Sequence, residues 1–288
     1  MGKKRILLFG ATGMAGHMAY YYLKETGRYE IKDVVFRTPL TENSIIVNAT
    51  DATAVSSLVE QEKPDVILNC IGALVKESQK HPDNAIYLNA YFPHQLEKLA
   101  NRLGAKLVHI STDCVFSGKK GMYGENDFRD ADDIYGRSKA LGEVTEGNSL
   151  TLRTSIIGPE LKKNGEGLFH WFMCQKGIIQ GYKTAIWGGV TTLELAKVID
   201  TALIENWSGL VQISNGESVS KLELLELIQK IWKKNDVEIV PIDANGINKS
   251  IRKSERVKYN VPSYSEMLEE MKAWMEKRRS LYASLYTY

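Results

Sequence analysis

A tyrosine and a lysine four residues apart are the strongest chemical signal in this sequence. Tyr135 and Lys139 have the spacing that places two side chains on one face of a helix. A positive charge near a phenol favours the phenolate, so the Lys139 ammonium is expected to lower the pKa of Tyr135 into a useful acid/base range. Tyr135 would then protonate a carbonyl oxygen as a hydride arrives. The alternative is an ordinary exposed helical pair, since the chain has 14 tyrosines.

Hydroxyl side chains stand upstream of this pair, at the end of an apolar run. Ser111 and Thr112 follow residues 106–110, which are nearly continuous in apolar character and therefore predict a buried strand. Open α/β sheets bind their ligands at the carboxyl ends of the strands. One of these hydroxyls is therefore expected to face the carbonyl group that is reduced.

A glycine-rich turn predicts a dinucleotide-binding site. Gly10, Gly13 and Gly16 directly follow a predicted strand and open a predicted helix over residues 14–24. Such a turn needs glycine, backbone N–H groups must approach the pyrophosphate, and a side chain at Gly16 would push the helix away from the sheet. The residues of this turn assigned to the cofactor are Gly10, Thr12, Gly13 and Met14. A glycine-rich turn that merely joins strand to helix is the alternative.

The residues after the next two strands bear on which dinucleotide binds. Arg37 follows the second predicted strand, where an NAD enzyme has an acidic residue on the ribose hydroxyls. A guanidinium suits a 2′-phosphate, so Arg37 favours NADPH, with NADH still possible; a solvated arginine is the alternative. Asp51 either accepts a hydrogen bond from the adenine amino group or caps the helix that begins near Ala52.

The composition indicates a folded protein, and the overall charge does not by itself identify a class of binding partner. The chain has 288 residues, 43% hydrophobic and 25% charged, with a net charge of +2 that gives no basic field for nucleic acid or an anionic membrane. Its apolar runs fall far short of the roughly 20 residues that cross a bilayer. Three cysteines without a Cys-x-x-Cys pair, and no signal-like start, predict a reduced, cytoplasmic protein. The five histidines lack metal-ligand spacing, so no metal site is expected.

The order of elements predicts a Rossmann-type α/β fold, a doubly wound parallel sheet with a smaller mixed C-terminal lobe. The predicted strands of the first half are residues 5–9, 31–36, 44–48, 65–71, 106–110 and 150–154. Residues 82–104 predict one long helix, bent at Pro93. We expect residues 1–158 to form the NAD(P)-binding domain, to which later segments return. Residues 159–288, with helices at 193–203, 222–232 and 267–275 and strands at 210–214 and 237–242, are expected to be mainly a substrate lobe.

Taken in order, these stretches resemble extended short-chain dehydrogenases/reductases, and within that group the dTDP-4-dehydrorhamnose reductase family. The resembling stretches are residues 7–13, 63–70, 111–116, 135–139, 142–143, 152–155 and 211–216. They are specific for the family and only weakly specific for the sugar.

The resemblance implies roles for residues that the spacing alone does not assign. It implies a catalytic set of Thr112, Tyr135 and Lys139, with Lys139 also holding the nicotinamide ribose. It implies that Asn89 supports Lys139 through water or backbone. It places Cys70, Ile71 and Gly72 in the loop behind the cofactor's ribose and pyrophosphate, and Asp51 near the adenine.

Substrate contacts are expected from Val115, Phe116 and Trp187. The sequence departs from the family pattern at Cys114, where tyrosine is usual, and at residues 132–133, where the family has a proline-containing approach; both changes are expected to alter the rim of the pocket. Residues 160–182 also align poorly. Their aromatic side chains, Phe169, His170, Trp171 and Phe172, either stack on a nucleotide base or pack their helix.

The sequence thus predicts NADPH-dependent reduction of the C4 ketone of a nucleotide-linked 4-keto-6-deoxyhexose, for deoxysugar and polysaccharide biosynthesis. The expected partner is the nucleotide sugar, and a homodimer is compatible with this interpretation. One alternative is an NADP-binding regulatory subunit without turnover. Another is a nucleotide-sugar epimerase of the same fold, which retains its NAD.

Overall fold

The computed structural model describes residues 2–243 and 246–286. The strands are β1 (Lys4–Phe9), β2 (Tyr29–Val35), β3 (Ile45–Ile46), β4 (Val66–Asn69), β5 (Lys106–Ser111), β6 (Leu150–Arg153), β7 (Ile156–Ile157), β8 (Gly177–Tyr182), β9 (Ile186–Trp187), β10 (Val190–Thr191), β11 (Gly209–Gln212), β12 (Val219–Ser220) and β13 (Val237–Ile242). The helices are α1 (Met14–Glu25), α2 (Ala52–Glu62), α3 (Val75–Lys80), α4 (Pro82–Ala85), a π-helix (Ile86–Tyr91), α5 (Phe92–Leu103), α6 (Ile134–Leu141), α7 (Leu168–Met173), α8 (Thr192–Ile204), α9 (Lys221–Trp232), α10 (Tyr264–Lys277) and α11 (Arg279–Tyr282), with a 3₁₀ turn at Asp113–Val115.

Seven parallel strands form the central sheet, in the order β11-β6-β5-β4-β1-β2-β3. The prediction of a Rossmann-type sheet is confirmed. The strand predicted at residues 210–214 is β11, which is the edge strand of the central sheet beside β6. The chain therefore returns to the sheet after residue 159.

Helices cover both faces of the sheet, because successive side chains of a buried strand point to opposite sides and both sets are apolar. Ile6 and Leu8 of β1 join the core beneath α1 and α8. Leu7 and Phe9 join a second core beneath α2 and α5. All four side chains are essentially inaccessible to solvent, which fixes the register of β1.

The long helix predicted over residues 82–104 is continuous but not uniform. It runs through α4, a π-helical segment and α5, and ends at Gly104 in a left-handed conformation with φ of 66°. The π-helix contains Asn89. Single π turns within α-helices are frequent at functional sites, and this one turns Asn89 into the protein interior.

The C-terminal part adds short strand pairs and helices beside the sheet. β8 pairs with β13 and β9 with β12, while α9 and α10 pack together. A separate pair, β7 with β10, leads into α8, which lies against α1. Among the helices of the described ranges, none combines the length and apolar character needed to cross a bilayer.

Candidate active site

A cleft of about 570 Å³ opens where β1, β4, β5 and β6 end. The side of a parallel sheet at its carboxyl ends is where such folds bind ligands. The predicted site residues that line the cleft are Thr12, Gly13, Met14, Cys70, Ile71, Gly72, Thr112, Tyr135 and Lys139. Predicted residues from four separate stretches of the sequence therefore meet at one place.

The glycine turn brings the start of α1 against the cleft. Gly10 has φ of 80°, a conformation that favours glycine, and a Cβ there would meet Cys70 and Ile71 at 3.0 Å. A Cβ on Gly16 would lie 2.1 Å from the Gly10 carbonyl oxygen, so only glycine allows this helix and turn to pack. Within the described part of the chain, no side chain caps the N-terminus of α1 at Gly13. Its first N–H groups are thus available to an anion such as a phosphate.

The loop after β4 forms the adjacent wall, and Asn89 holds it in place. The Asn89 amide accepts a hydrogen bond from Ala73 N (2.8 Å) and donates to Ala73 O (3.0 Å) and to the Ser138 hydroxyl (3.1 Å). Asn89 therefore ties this loop to α6 through the neighbour of Lys139. A Cβ built on Gly72 would lie 3.4 Å from Asn89 Oδ1 and 4.0 Å from Lys139 Nζ, so the absence of a side chain there leaves room for a ligand.

Tyr135 and Thr112 lie together in the cleft, at the start of α6 and just after β5. The Thr112 hydroxyl accepts a hydrogen bond from Cys114 N (3.1 Å) and donates to Asp113 (3.1 Å). Burial raises the pKa of the Tyr135 phenol, and hydrogen bonding with the Thr112 side chain offsets only part of that rise. The prediction that the Lys139 ammonium lowers this pKa is wrong for this structure. The Tyr135 phenol therefore stays protonated at neutral pH.

Lys139 is buried in the wall of the cleft rather than extended toward the phenol. Its amine donates a hydrogen bond to the Ile110 carbonyl oxygen (2.7 Å) and lies 3.3 Å from Nε2 of His109. Burial lowers the pKa of Lys139 to about 8, although the Glu143 carboxylate opposes this shift. An amine with this pKa can gain or lose a proton near neutral pH.

A buried ion pair behind the cleft fixes the ends of two strands, and sequence reasoning missed its role. Arg153 at the end of β6 makes two hydrogen bonds to Glu143, at 2.7 and 2.6 Å, and the Ser111 hydroxyl donates to the same carboxylate at 2.8 Å. Burial would raise the pKa of Glu143, but Arg153, Ser111 and Arg129 together hold it below its usual value. Both Glu143 and Arg153 lie in stretches that resembled the family, and this was the available signal.

Two predicted adenine-end residues lie outside the cleft. Arg37 is exposed after β2, with its guanidinium 4.5 Å from the Phe36 ring and no salt bridge to any residue in the described part of the chain. Asp51 is the N-cap of α2, where its carboxylate accepts a hydrogen bond from Ala54 N at 2.9 Å. Of the two alternatives for Asp51, the structure shows the cap, and Ala52 is the first residue of that helix.

The predicted substrate contacts Val115 and Phe116 are wrong. Both side chains are fully buried in a small core with Tyr123 and Ile251. The Phe116 ring stacks on the Tyr123 ring with 4.2 Å between their centroids, and the Arg153 guanidinium lies 5.1 Å from the Phe116 centroid. Neither residue lines the cleft, because the 3₁₀ turn after Thr112 sends the chain back into the protein.

Trp187 does not line the cleft either, so this expectation is also wrong as stated. The indole is almost fully buried beside Tyr264, and its N–H donates a hydrogen bond of 2.8 Å to the Ser155 hydroxyl. Ser155 itself lines the cleft. Trp187 is therefore connected to the cleft through its hydrogen bond to that serine.

Another wall of the cleft comes from residues 160–167, the first part of the stretch that aligns poorly with the family. Glu160, Lys162, Asn164 and Glu166 line the cleft here. The Glu160 carboxylate accepts a hydrogen bond from Gly167 N at 2.6 Å, which closes the loop on itself. The aromatic side chains that follow mostly pack the core: Phe169 and Phe172 are fully buried, His170 nearly so, and only Trp171 is partly exposed.

The sheet order, the glycine turn and the tyrosine–lysine pair in one cleft define a Rossmann-type protein of the short-chain dehydrogenase/reductase class. The chain matches the RmlD substrate binding domain family over residues 4–286 and belongs to that family. The resemblance found in the sequence is thereby confirmed.

Individual relatives are similar over part of their length. Methionine adenosyltransferase 2 subunit beta of Rattus norvegicus is 34% identical over 168 residues, which are 56% of this chain and 49% of that protein. dTDP-4-dehydrorhamnose reductase of Aggregatibacter actinomycetemcomitans is 32% identical over 166 residues, 56% of this chain and 54% of that protein. The chain thus spans about half the length of the curated relatives it matches.

A solved structure agrees with the fold over nearly the whole chain. It is dTDP-4-dehydrorhamnose reductase from Bacillus anthracis in complex with NADP, with a TM-score of 0.81 and 23% identity, covering 95% of this chain and 100% of that one. At that identity, the similarity establishes the shared fold.

Proposed function

We propose that this protein is an NADPH-dependent reductase of the C4 ketone of a nucleotide-linked 4-keto-6-deoxyhexose. The observation that carries the proposal is the shared cleft: Thr112, Tyr135 and Lys139 line the same cavity as the uncapped start of α1. A proton donor, a hydroxyl and an anion-binding helix end in one cavity are what a dinucleotide-dependent carbonyl reduction requires.

The residues present fit a dinucleotide. The N-terminus of α1 and Gly13 would hold the pyrophosphate, and the space beside Gly72 would take the nicotinamide ribose, with Lys139 next to its hydroxyls. Arg37, exposed and without an ion pair among the described residues, would bind a 2′-phosphate and so favour NADPH. The cofactor supplies the hydride.

The chain's own residues supply the proton and orient the carbonyl group. Tyr135, held protonated by burial, would donate its phenol proton to the ketone oxygen as negative charge develops there. The Thr112 hydroxyl, which lies beside Tyr135, would turn its proton from Asp113 to the same oxygen. Residues 160–167 and Ser155 would enclose the sugar and its diphosphate, with Lys162 supplying positive charge.

The test is NADPH oxidation with freshly generated dTDP-, UDP- and GDP-4-keto-6-deoxy sugars. We expect one nucleotide sugar to consume NADPH, and Tyr135→Phe to abolish turnover while NADPH binding and the thermal unfolding temperature stay unchanged. Removal of a general acid costs about 10²- to 10⁴-fold in rate. Equal turnover by Tyr135→Phe would refute the assignment of the proton donor.

A second candidate is a regulatory subunit that binds NADP(H) without turnover. The similarity to a subunit of methionine adenosyltransferase 2 supports it, since that relative is named as a subunit of another enzyme. NADPH binding with no oxidation across the whole sugar panel, together with a change in a methionine adenosyltransferase's activity when this protein is added, would favour this function over the reductase.

A further inference from the structure

A line of four hydrogen bonds runs through the interior behind the cleft. Ile71 N donates to Asn69 Oδ1 (3.0 Å), and Asn69 Nδ2 lies 3.0 Å from His109 Nδ1. His109 Nε2 lies 3.3 Å from Lys139 Nζ, which also donates to Ile110 O at 2.7 Å. Asn69 and His109 are completely buried and Lys139 almost so, so water does not complete these bonds.

The first bond determines the direction of the others. A backbone N–H can only donate, so Asn69 must present its carbonyl oxygen to Ile71 and its NH₂ group to His109. The facing ring nitrogen, Nδ1, must therefore accept. A neutral imidazole carries one proton, which then resides on Nε2 and points at the lysine nitrogen.

A proton on Nε2 restricts what Lys139 can do. Only a neutral amine has a lone pair to accept that proton, and it can still donate to Ile110 O. An ammonium in the same place would face the imidazole N–H as donor against donor. The other neutral tautomer, protonated on Nδ1, does not remove the conflict, because Nδ1–H would then face the NH₂ group of Asn69 as donor against donor.

We propose that Asn69 and His109 are positioning residues that hold the imidazole in its Nε2–H form, so that Lys139 is bound to the wall as a neutral amine and turned into the cleft as an ammonium. The charge of Lys139 and its direction are thereby coupled. In the cleft the ammonium would lie beside the cofactor ribose and near Tyr135, where it stabilises the phenolate that remains after proton donation. This consequence for catalysis rests on the proposed reductase function, whereas the imidazole form does not.

The other ionisable groups near this line leave it intact. Glu143, which follows the C-terminal end of α6, raises the pKa of Lys139, but its carboxylate is held by hydrogen bonds from Arg153. Burial raises the pKa of the Cys70 thiol to about 12, so it is uncharged at neutral pH. Burial, the Lys139 charge and His94 on α5 all lower the pKa of His109 well below its usual value, so the ring stays neutral.

The first test is the tautomer of His109 in the unmodified protein. Long-range ¹H–¹⁵N correlation spectra of ¹⁵N-histidine-labelled protein distinguish protonated from bare ring nitrogens, and His109→Gln assigns the signal by its disappearance. We expect Nε2 protonated and Nδ1 bare from pH 6 to pH 9. A protonated Nδ1, or an imidazolium, would overturn the proposal. This result does not depend on any substrate.

The second test is the pH dependence of kcat/KM, which reports groups of the free enzyme. Because the pKa of Lys139 is about 8 and the ammonium is the form in the cleft, activity is expected to fall above about pH 8. His109→Gln releases the restriction without adding charge, because the amide of glutamine can turn its oxygen to the ammonium. Asn69→Asp should move the imidazole proton from Nε2 to Nδ1, because a carboxylate can accept a hydrogen bond from Nδ1–H but cannot donate one.

Both variants should move the alkaline limb to higher pH, by about one unit, which corresponds to about 1.4 kcal/mol. If only Asn69→Asp moves the limb, added charge explains the shift and the positioning role is refuted. If no keto-sugar is turned over, the proposed function fails while the tautomer measurement still decides the hydrogen-bond arrangement.

Discussion

A single methyl group at Gly72 should separate cofactor binding from folding. In the structure, a Cβ at this position would lie 3.4 Å from Asn89 Oδ1 and 4.0 Å from Lys139 Nζ, which are ordinary contact distances. The backbone of Gly72 is not in the left-handed region. Gly72→Ala should therefore fold normally, with a change in the free energy of unfolding of no more than about 1 kcal/mol.

In the proposed placement of the cofactor, the same methyl group would occupy space that the nicotinamide ribose needs. Overpacking of a close-fitting site by one methyl group costs about 1–3 kcal/mol, so the dissociation constant for NADPH should rise by about 5- to 150-fold. Fluorescence titration with NADPH and thermal unfolding without it measure the two quantities on the same sample.

Gly16→Ala is the matched control with the opposite expectation. Its Cβ would lie 2.1 Å from the Gly10 carbonyl oxygen, a backbone atom that cannot turn away. We expect Gly16→Ala to unfold at a lower temperature, because its free energy of unfolding should fall by about 3 kcal/mol. An unchanged NADPH affinity in well-folded Gly72→Ala would show that the dinucleotide does not lie over this loop, and the placement of the cofactor would be refuted.

Two further substitutions test the adenine end and the support of the cleft. Arg37→Ala should weaken NADPH binding by about 10- to 150-fold, as expected for lost charge-assisted hydrogen bonds, and leave NADH binding unchanged. Equal weakening of NADPH and NADH binding would contradict a contact between Arg37 and the 2′-phosphate. Glu143→Gln leaves the buried Arg153 guanidinium without its carboxylate and should lower the free energy of unfolding by about 3–5 kcal/mol in urea titrations, whereas Glu60→Gln at an exposed pair with Arg102 should leave it nearly unchanged. A small effect of Glu143→Gln would mean that the ion pair does not stabilise the ends of these strands.

Local patterns determined the elements and the chemical groups. The apolar runs determined the strands of the central sheet, because a strand buried on both faces has few alternatives to continuous apolar character. The spacing of Gly10, Gly13 and Gly16 required close packing of a turn against a helix, and this is what the structure shows. Tyr135 and Lys139 lie on one face of α6, because helical geometry alone brings residues four apart to the same side.

Only tertiary packing decided which way the side chains near the site face. Val115 and Phe116 follow the hydroxyl pair directly, but a 3₁₀ turn buries them against Tyr123, a contact that no local pattern contains. Trp187 reaches the site only through Ser155, which lies 32 residues away in the chain.

The line from Asn69 through His109 to Lys139 is the plainest case of this division. The sequence placed His109 on a buried strand, but its hydrogen-bond partners lie 40 and 30 residues away, on β4 and α6. Secondary structure follows from short-range periodicity and steric limits within a few residues. The direction of a buried hydrogen bond depends on partners that the sheet order brings together, so only the folded chain determines it.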